Sequence, residues 1–273
     1  DVVDRADDDV AVQPYTSGTT GTPKGVLLTH QNLAWDARAT AAVMPDGVRE
    51  DDLFLGVLPL FHIYGMTVTM IATLFEGGGY RPVPEWDAQQ AAEIIESEGI
   101  TVMHGVPAMF NDLVNQPNAE EFDLSSLRFV NSGGSSLPIE VMHRFDDLFE
   151  TELYEGYGLT ETAPVTHVNR PGARRPGSIG KPLDGVDAKI VDGNFDAVEP
   201  VPEGPVDEEE TDLDEITGEL VVSGPNVMKG YYNLPEANEG AFTEQGGKRW
   251  FHTGDIGYHD EDGYFFVVDR SEE

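Results

Sequence analysis

The run Tyr15-Thr16-Ser17-Gly18-Thr19-Thr20-Gly21-Thr22-Pro23-Lys24-Gly25 concentrates hydroxyls, glycines and one lysine in eleven positions. Glycines let a backbone approach a ligand closely and adopt positive φ. Successive N–H groups can then converge on an anion. The hydroxyls add donors and Lys24 adds a point charge, so the run suits a polyphosphate. It is not the P-loop G-x-x-x-x-G-K-[ST]. Aligning Gly18 and Lys24 puts Pro23 where the second glycine must stand and Gly25 where the Mg-binding hydroxyl must stand. An ordinary flexible Gly/Thr loop is the competing reading, and the fixed Pro23-Lys24-Gly25 end argues against it.

A second group is Tyr157-Gly158-Leu159-Thr160-Glu161-Thr162. An aromatic beside glycine can offer a ring face to a base. Glu161 is a hard oxygen ligand of the kind Mg2+ takes, one or two carboxylates beside phosphates. By itself this stretch reads as a plain turn. The third group, Trp250-Phe251-His252-Thr253-Gly254-Asp255, ends on a carboxylate able to accept from two vicinal hydroxyls. Arg270 follows fifteen positions later. Without context, a surface Gly-Asp turn is the simpler reading. Ser132-Gly133-Gly134-Ser135-Ser136-Leu137-Pro138 lies between a predicted strand and a predicted helix, where a plain βα turn is an even alternative. His62 stands in Phe61-His62-Ile63-Tyr64-Gly65, and His104 in Met103-His104-Gly105-Val106-Pro107. A lone histidine among apolar residues is more often a packed core residue than a catalyst.

Together, and in this order, these motifs resemble those of the adenylate-forming superfamily, which holds acyl-CoA synthetases, non-ribosomal adenylation domains and luciferases. The resemblance covers essentially the whole chain. It implies an ATP/AMP site built from Thr16, Ser17, Gly18, Thr19, Thr20, Gly21, Lys24, Gly133, Gly134, Ser135, Glu155, Gly156, Tyr157, Gly158, Thr160, Asp255, Val267 and Arg270. In it the Tyr157 ring would stack on adenine, Asp255 and Arg270 would hold the ribose, and Glu161 with Thr16 would hold Mg2+. It places His62, Tyr64, His104, Gly133 and Gly158 at the acyl group; for His104, plain packing is an equal reading. Thr16, Lys24, His62, Thr160 and Glu161 are the implied catalytic set, His62 as a positioning group at the acyl carboxylate rather than a general base. Gly218-Glu219-Leu220 and Gly230-Tyr231-Tyr232 resemble further family motifs.

The elements that must position these groups alternate. Strands are predicted at 10–15, 53–58, 100–106, 127–131 and from 152. Helices are predicted over 31–44, with Thr29 as N-cap, up to 75 after the His62 motif, over 87–98 with Gly99 at its stop, over 107–115 and over 138–149. Crossover helices of this length argue for a parallel sheet, whose ligands bind beyond the carboxyl ends of its strands. Each candidate loop, that of Tyr157 included, follows a strand in this reading. After about 176 the pattern changes to short alternating runs separated by glycine. The expected fold is therefore α/β: a parallel-sheet subdomain over 1–175, incomplete at its N-terminus, then a smaller β-rich subdomain over 176–268. Residues 269–273 would begin a hinge to an absent C-terminal domain. The resemblance thus implies a central fragment without the lysine that the family's C-terminal domain supplies. Within 192–215, the acidic run Asp207-Glu208-Glu209-Glu210 reads as a solvated loop.

The 273 residues carry 51 acidic and 16 basic side chains, a formal net charge of −35. That charge argues against nucleic acid as a partner. The acid is spread along the whole chain and only five residues are lysine, a pattern that suggests a salt-adapted, halophilic source. Cysteine is absent, which excludes disulfide and thiolate chemistry. No signal peptide and no run of about 18 apolar residues is present, so a soluble cytoplasmic protein is expected. The reaction the resemblance implies is ATP-dependent activation of a carboxylic acid, expected to be a fatty acid, to its acyl-adenylate, followed by thioester formation with coenzyme A. The alternatives are a non-catalytic ATP- and acyl-binding fragment, and an adenylation domain that loads a carrier protein.

Overall fold

A computed structural model of the chain describes residues 3–16, 23–207 and 209–270, with Asp269 and Arg270 described through their backbone alone. Residues 17–22 of the Gly/Thr run, with Ser17, Gly18, Thr19, Thr20 and Gly21, lie outside the described residues, as do Glu208 and 271–273.

The chain opens with β1 (Val10–Val12), β2 (Tyr15–Thr16) and β3 (Lys24–Thr29), followed at once by α1 (His30–Ala41). β3 is the hub of this part: β1, β2 and the distant β13 (Gly230–Tyr231) all pair with it antiparallel. Helix α1 starts where its sequence says it should. The Thr29 hydroxyl accepts from the Asn32 N–H at 3.1 Å, and the Asn32 amide oxygen accepts in return from the Thr29 N–H at 2.8 Å, a reciprocal cap that satisfies two otherwise orphaned donors.

Next come β4 (Leu53–Gly56), a π-helical stretch (Tyr64–Ile71) running into α2 (Ala72–Glu76), β5 (Gly79–Pro82), α3 (Ala88–Glu98), β6 (Val102–Gly105), α4 (Pro107–Val114), β7 (Phe129–Ser132), α5 (Ile139–Phe149), β8 (Leu153–Gly158), β9 (Val165–Val168) and β10 (Lys181–Pro182). They build one seven-stranded sheet in the order β10-β9-β8-β7-β6-β4-β5. The pairs β4–β5, β4–β6, β6–β7 and β7–β8 are parallel, as expected; β9 and β10 extend the sheet antiparallel. The sheet is buried on both faces. Successive residues Phe54/Leu55, Val102/Met103, Phe129/Val130 and Tyr154/Leu153 separate into two apolar clusters. Phe54, Val102, Phe129 and Tyr154 pack with Ala41 and Met44, while their neighbours pack with the crossover helices through Ile95, Phe110, Met142 and Phe145. Such two-sided burial turns parallel strands into continuous apolar runs.

The remaining elements are β11 (Asp187–Val191), α6 (Leu213–Ile216), β12 (Gly218–Ser223), β13, α7 (Pro235–Ala241), β14 (Phe242–Gln245), β15 (Lys248–His259) and β16 (Phe265–Arg270). All but β13 of the strands form a five-stranded antiparallel sheet around β12 and β15. The exposed acidic stretch around Asp207 lies between β11 and β12.

Two local expectations are corrected, and one competing reading is set aside. The segment before Phe75 is wound as a π-helix over Tyr64–Ile71 before it becomes α-helical. Tyr157 sits inside β8, not in a loop after it, because Gly156, Tyr157 and Gly158 pair with Val168, His167 and Val165 of β9. The Trp250–Asp255 segment is no surface turn. It is the middle of the twelve-residue strand β15, and Asp255 is 2% exposed.

Candidate active site

The carboxyl ends of β7 and β8, the π-helical stretch, the β2–β3 hairpin and the face of β15 enclose one cavity of about 990 Å3. Thr16 and Lys24 stand on opposite strands of the hairpin as paired residues, and both line the cavity. The Lys24 ammonium lies 5.1 Å from the centre of the Tyr231 ring, within reach of a cation–π attraction.

Thr160 and Glu161 belong to a short 3-10 turn, Thr160–Thr162, directly after β8. Glu161 is 8% exposed and lines the same cavity. Its carboxylate accepts from the Tyr231 hydroxyl at 2.9 Å. Tyr157 also lines the cavity, and its hydroxyl donates to Asp255, which is held on β15 next door. Arg270 is the backbone pairing partner of Asp255 across β15 and β16; its side chain lies outside the described residues. Val267 follows the same strand and pairs with Gly257.

Of the glycines of the site, Gly158 is sterically required and Gly133 is tightly packed. A Cβ on Gly158 would lie 1.9 Å from the Pro164 carbonyl oxygen, and one on Gly133 would lie 3.2 Å from the Tyr64 ring. Gly133, Gly134 and Gly156 line the cavity, while Ser135 is exposed just beyond them. Glu155 is not among the residues that line the cavity. It is buried and accepts from the Leu137 N–H at 3.0 Å, tying the 133–137 loop to β8. Burial pushes its carboxyl up to about 7.

His62 and Tyr64 line another part of the same cavity. The Tyr64 N–H donates to His62 Nδ1 at 3.3 Å, which leaves the imidazole proton on Nε2. Desolvation holds the His62 pKa below its ordinary value. The Tyr64 hydroxyl reaches the Asn131 carbonyl and amide oxygens at 3.3 and 3.2 Å. His104 is not brought to the cavity. It is packed behind Tyr64 among Phe54 and Phe129, with ring centres about 6 Å apart, and burial pulls its pKa down to about 4.

Sequence reasoning left out Tyr231 and Asn131. Asn131 lies one residue before the Ser132-Gly133-Gly134 motif, so its nearness was a usable signal. Tyr231 lay in a recognised motif to which no role was attached. Among the described residues no group of three His, Cys, Asp or Glu side chains could hold a metal by itself, and no helix is long and apolar enough to cross a membrane.

The profile of the AMP-binding enzyme family matches residues 1–232. The chain belongs to that family. It is 39% identical over 266 residues to a long-chain-fatty-acid–CoA ligase of Bacillus subtilis, covering 97% of this chain and 44% of the relative. It is 37% identical to a feruloyl-CoA synthase of Amycolatopsis, covering 96% of this chain and 50% of that one. The chain thus spans about half the length of the curated relatives it matches. The crystal structure of ATP-bound MatB from Rhodopseudomonas palustris superposes with a TM-score of 0.84 at 31% identity, over 98% of this chain and 50% of that one. The family member described here keeps the α/β core of these relatives as a mixed sheet flanked by helices.

Proposed function

We propose that this chain forms the nucleotide- and acid-binding part of an AMP-forming acid–thiol ligase. The carrying observation is that Thr16, Lys24, Glu161 and Tyr157 line one cavity, with Asp255 hydrogen-bonded to Tyr157 at its edge. In the proposed reaction a substrate carboxylate attacks the α-phosphate of ATP, giving acyl-adenylate and pyrophosphate. The thiol of coenzyme A then attacks the acyl carbon and AMP departs.

The chain's residues divide the work. Lys24 and the hairpin hold the phosphates, and a fixed cation there stabilises charge that builds during the first step. The Tyr157 ring packs on the base, and the Asp255 carboxylate accepts from ribose hydroxyls with Arg270 alongside. His62, protonated on Nε2, orients the incoming carboxylate. Thr160 offers a hydroxyl next to Glu161. A divalent ion fits the donor set: a buried carboxylate facing the cavity and the Thr16 hydroxyl suit Mg2+, which takes few protein ligands when phosphates supply the rest. Glu161 and Thr16 would hold Mg2+, which when bound neutralises phosphate charge.

A fatty acid is the first acid to test, because one relative acts on long-chain fatty acids; the feruloyl relative makes aromatic acids the second. A cytoplasmic setting belongs to the same proposal. The deciding experiment is ATP–pyrophosphate exchange by the full-length protein across a panel of carboxylic acids, with CoA added in a second arm. Acid-dependent exchange and acyl-CoA formation are expected. Exchange with no acid in the panel would overturn the reading.

A further inference from the structure

Tyr231 is the shared neighbour of the two charges that the proposed function places at opposite signs of the phosphate end. Its hydroxyl donates to Glu161 Oε1 at 2.9 Å, and its ring lies 5.1 Å from the Lys24 ammonium. It is itself 8% exposed and lines the cavity.

The residue is pinned from four sides. In β13 it pairs with Val26 of β3, two residues from Lys24. The Lys229 and Tyr232 N–H groups donate to the carbonyls of Leu27 and Gly25 at 2.9 and 2.8 Å. Asn238 of α7 brackets it, accepting from the Tyr231 N–H at 2.7 Å and donating to its carbonyl at 3.0 Å. The Met228 N–H donates to the Glu161 carbonyl at 2.8 Å, so the same short segment also holds the backbone of the 3-10 turn.

We propose that Tyr231 is a positioning residue for metal binding: its hydroxyl fixes the Glu161 carboxylate toward the cavity while its ring face holds the Lys24 ammonium. A glutamate side chain otherwise samples several rotamers. A hydrogen bond from a rigid ring removes that freedom before the ligand arrives, and outer partners of metal-binding carboxylates commonly change metal affinity by about 10- to 100-fold. The inference rests on Glu161 being the metal carboxylate of the proposed function.

The test uses the full-length protein and Tyr231→Phe, which keeps the ring beside Lys24 and removes only the hydroxyl. Mn2+ is titrated with a non-reactive α,β-methylene ATP analogue and bound metal is read by electron paramagnetic resonance. Mg2+ dependence of pyrophosphate exchange and the thermal midpoint are read in parallel. Y231F is expected to raise the half-saturating metal concentration about tenfold or more, with kcat at saturating metal close to wild type. Glu161→Gln is the reference that loses the metal response. If Y231F titrates like wild type while E161Q loses the response, Tyr231 is only a packing residue and the inference fails, with the proposed function intact. If E161Q also titrates like wild type, the placement of the metal at Glu161 falls, and the proposed function must be revised with it.

Discussion

The Tyr157 hydroxyl donates to the Asp255 carboxylate, joining the end of the parallel sheet to the central strand of the antiparallel one across 98 positions of sequence. This bond sets the distance between the residue proposed to stack on the base and the residue proposed to hold the ribose. The two roles separate by mutation. Asp255→Asn keeps the shape but loses the charge, and a hydrogen bond to a charged group is worth about 1.5–3 kcal/mol. KM for ATP in the full-length protein is therefore expected to rise about 10- to 100-fold. Tyr157→Phe keeps the ring, so KM for ATP should stay near wild type while the thermal midpoint falls. Steady-state pyrophosphate exchange at varied ATP, with a melting curve for each variant, checks both.

Gly158 marks where β8 crosses the Pro164 carbonyl. Because an added Cβ would lie 1.9 Å from that oxygen, and because the obstacle is backbone, no side-chain rotation can relieve the clash. Gly158→Ala is expected to destabilise the fold by about 2 kcal/mol or more. Urea unfolding of wild type and variant measures it. A midpoint equal to wild type would mean that β8 and β9 separate at no cost.

Much of the fold was legible because its signals are local. Thr29 caps α1, Asp87 caps α3 by accepting from the Gln90 N–H, and Gly99 closes α3 with φ of 67°, all within a turn of the residue that carries the signal. The alternation of short strands with helices of crossover length points to the parallel sheet in the same local way. Tyr157 reads as a loop residue because glycine flanks it, and glycine before Asp255 keeps a turn open as the competing reading there; only pairing with β9 and β16, set by tertiary structure, shows both to be strand residues. The Tyr231–Glu161 bond spans 70 positions and depends on β13 reaching back to β3, which no window of sequence contains. Asp36 is the extreme case. A charged side chain within α1, it is fully buried, and burial raises its pKa.

Glu155 should leave a mark on the pH dependence of stability. Its carboxyl is held up at about 7, against an ordinary value of 4.5, mainly by burial. A raised carboxyl binds its proton more tightly in the folded state, so the folded state is favoured below the unfolded value and loses that advantage as pH rises through about 7. Between pH 5 and pH 8 this group should cost the fold on the order of 2–3 kcal/mol. Glu155→Gln retains an oxygen for the Leu137 N–H and removes the titration. The variant is expected to gain stability over wild type as pH rises from 5 to 8, read as the difference in urea midpoints. A difference independent of pH would show that Glu155 titrates normally.

The net charge of −35 makes a separate demand on the fold. Several basic residues are already committed to individual partners: Arg128 to Asp52, Arg174 to Asp146 and Arg175 to Asp260, pairs in which both members are largely shielded. Salt screens such buried pairs weakly, so raising it removes little of their attraction. The surplus carboxylates stand mostly on the solvated surface, where repulsion acts over a Debye length of about 10 Å at 0.1 M salt and about 3 Å at 1 M. Screening therefore relieves repulsion in the compact state more than it weakens attraction. The thermal midpoint is expected to climb by several degrees as KCl rises from 0.1 to 1 M, since about 1 kcal/mol corresponds to roughly 2–4 °C in a chain of this size. Differential scanning calorimetry across that series decides it. A flat or falling midpoint would mean that the acidic surface is spaced widely enough not to repel itself, and salt adaptation would lose its physical basis.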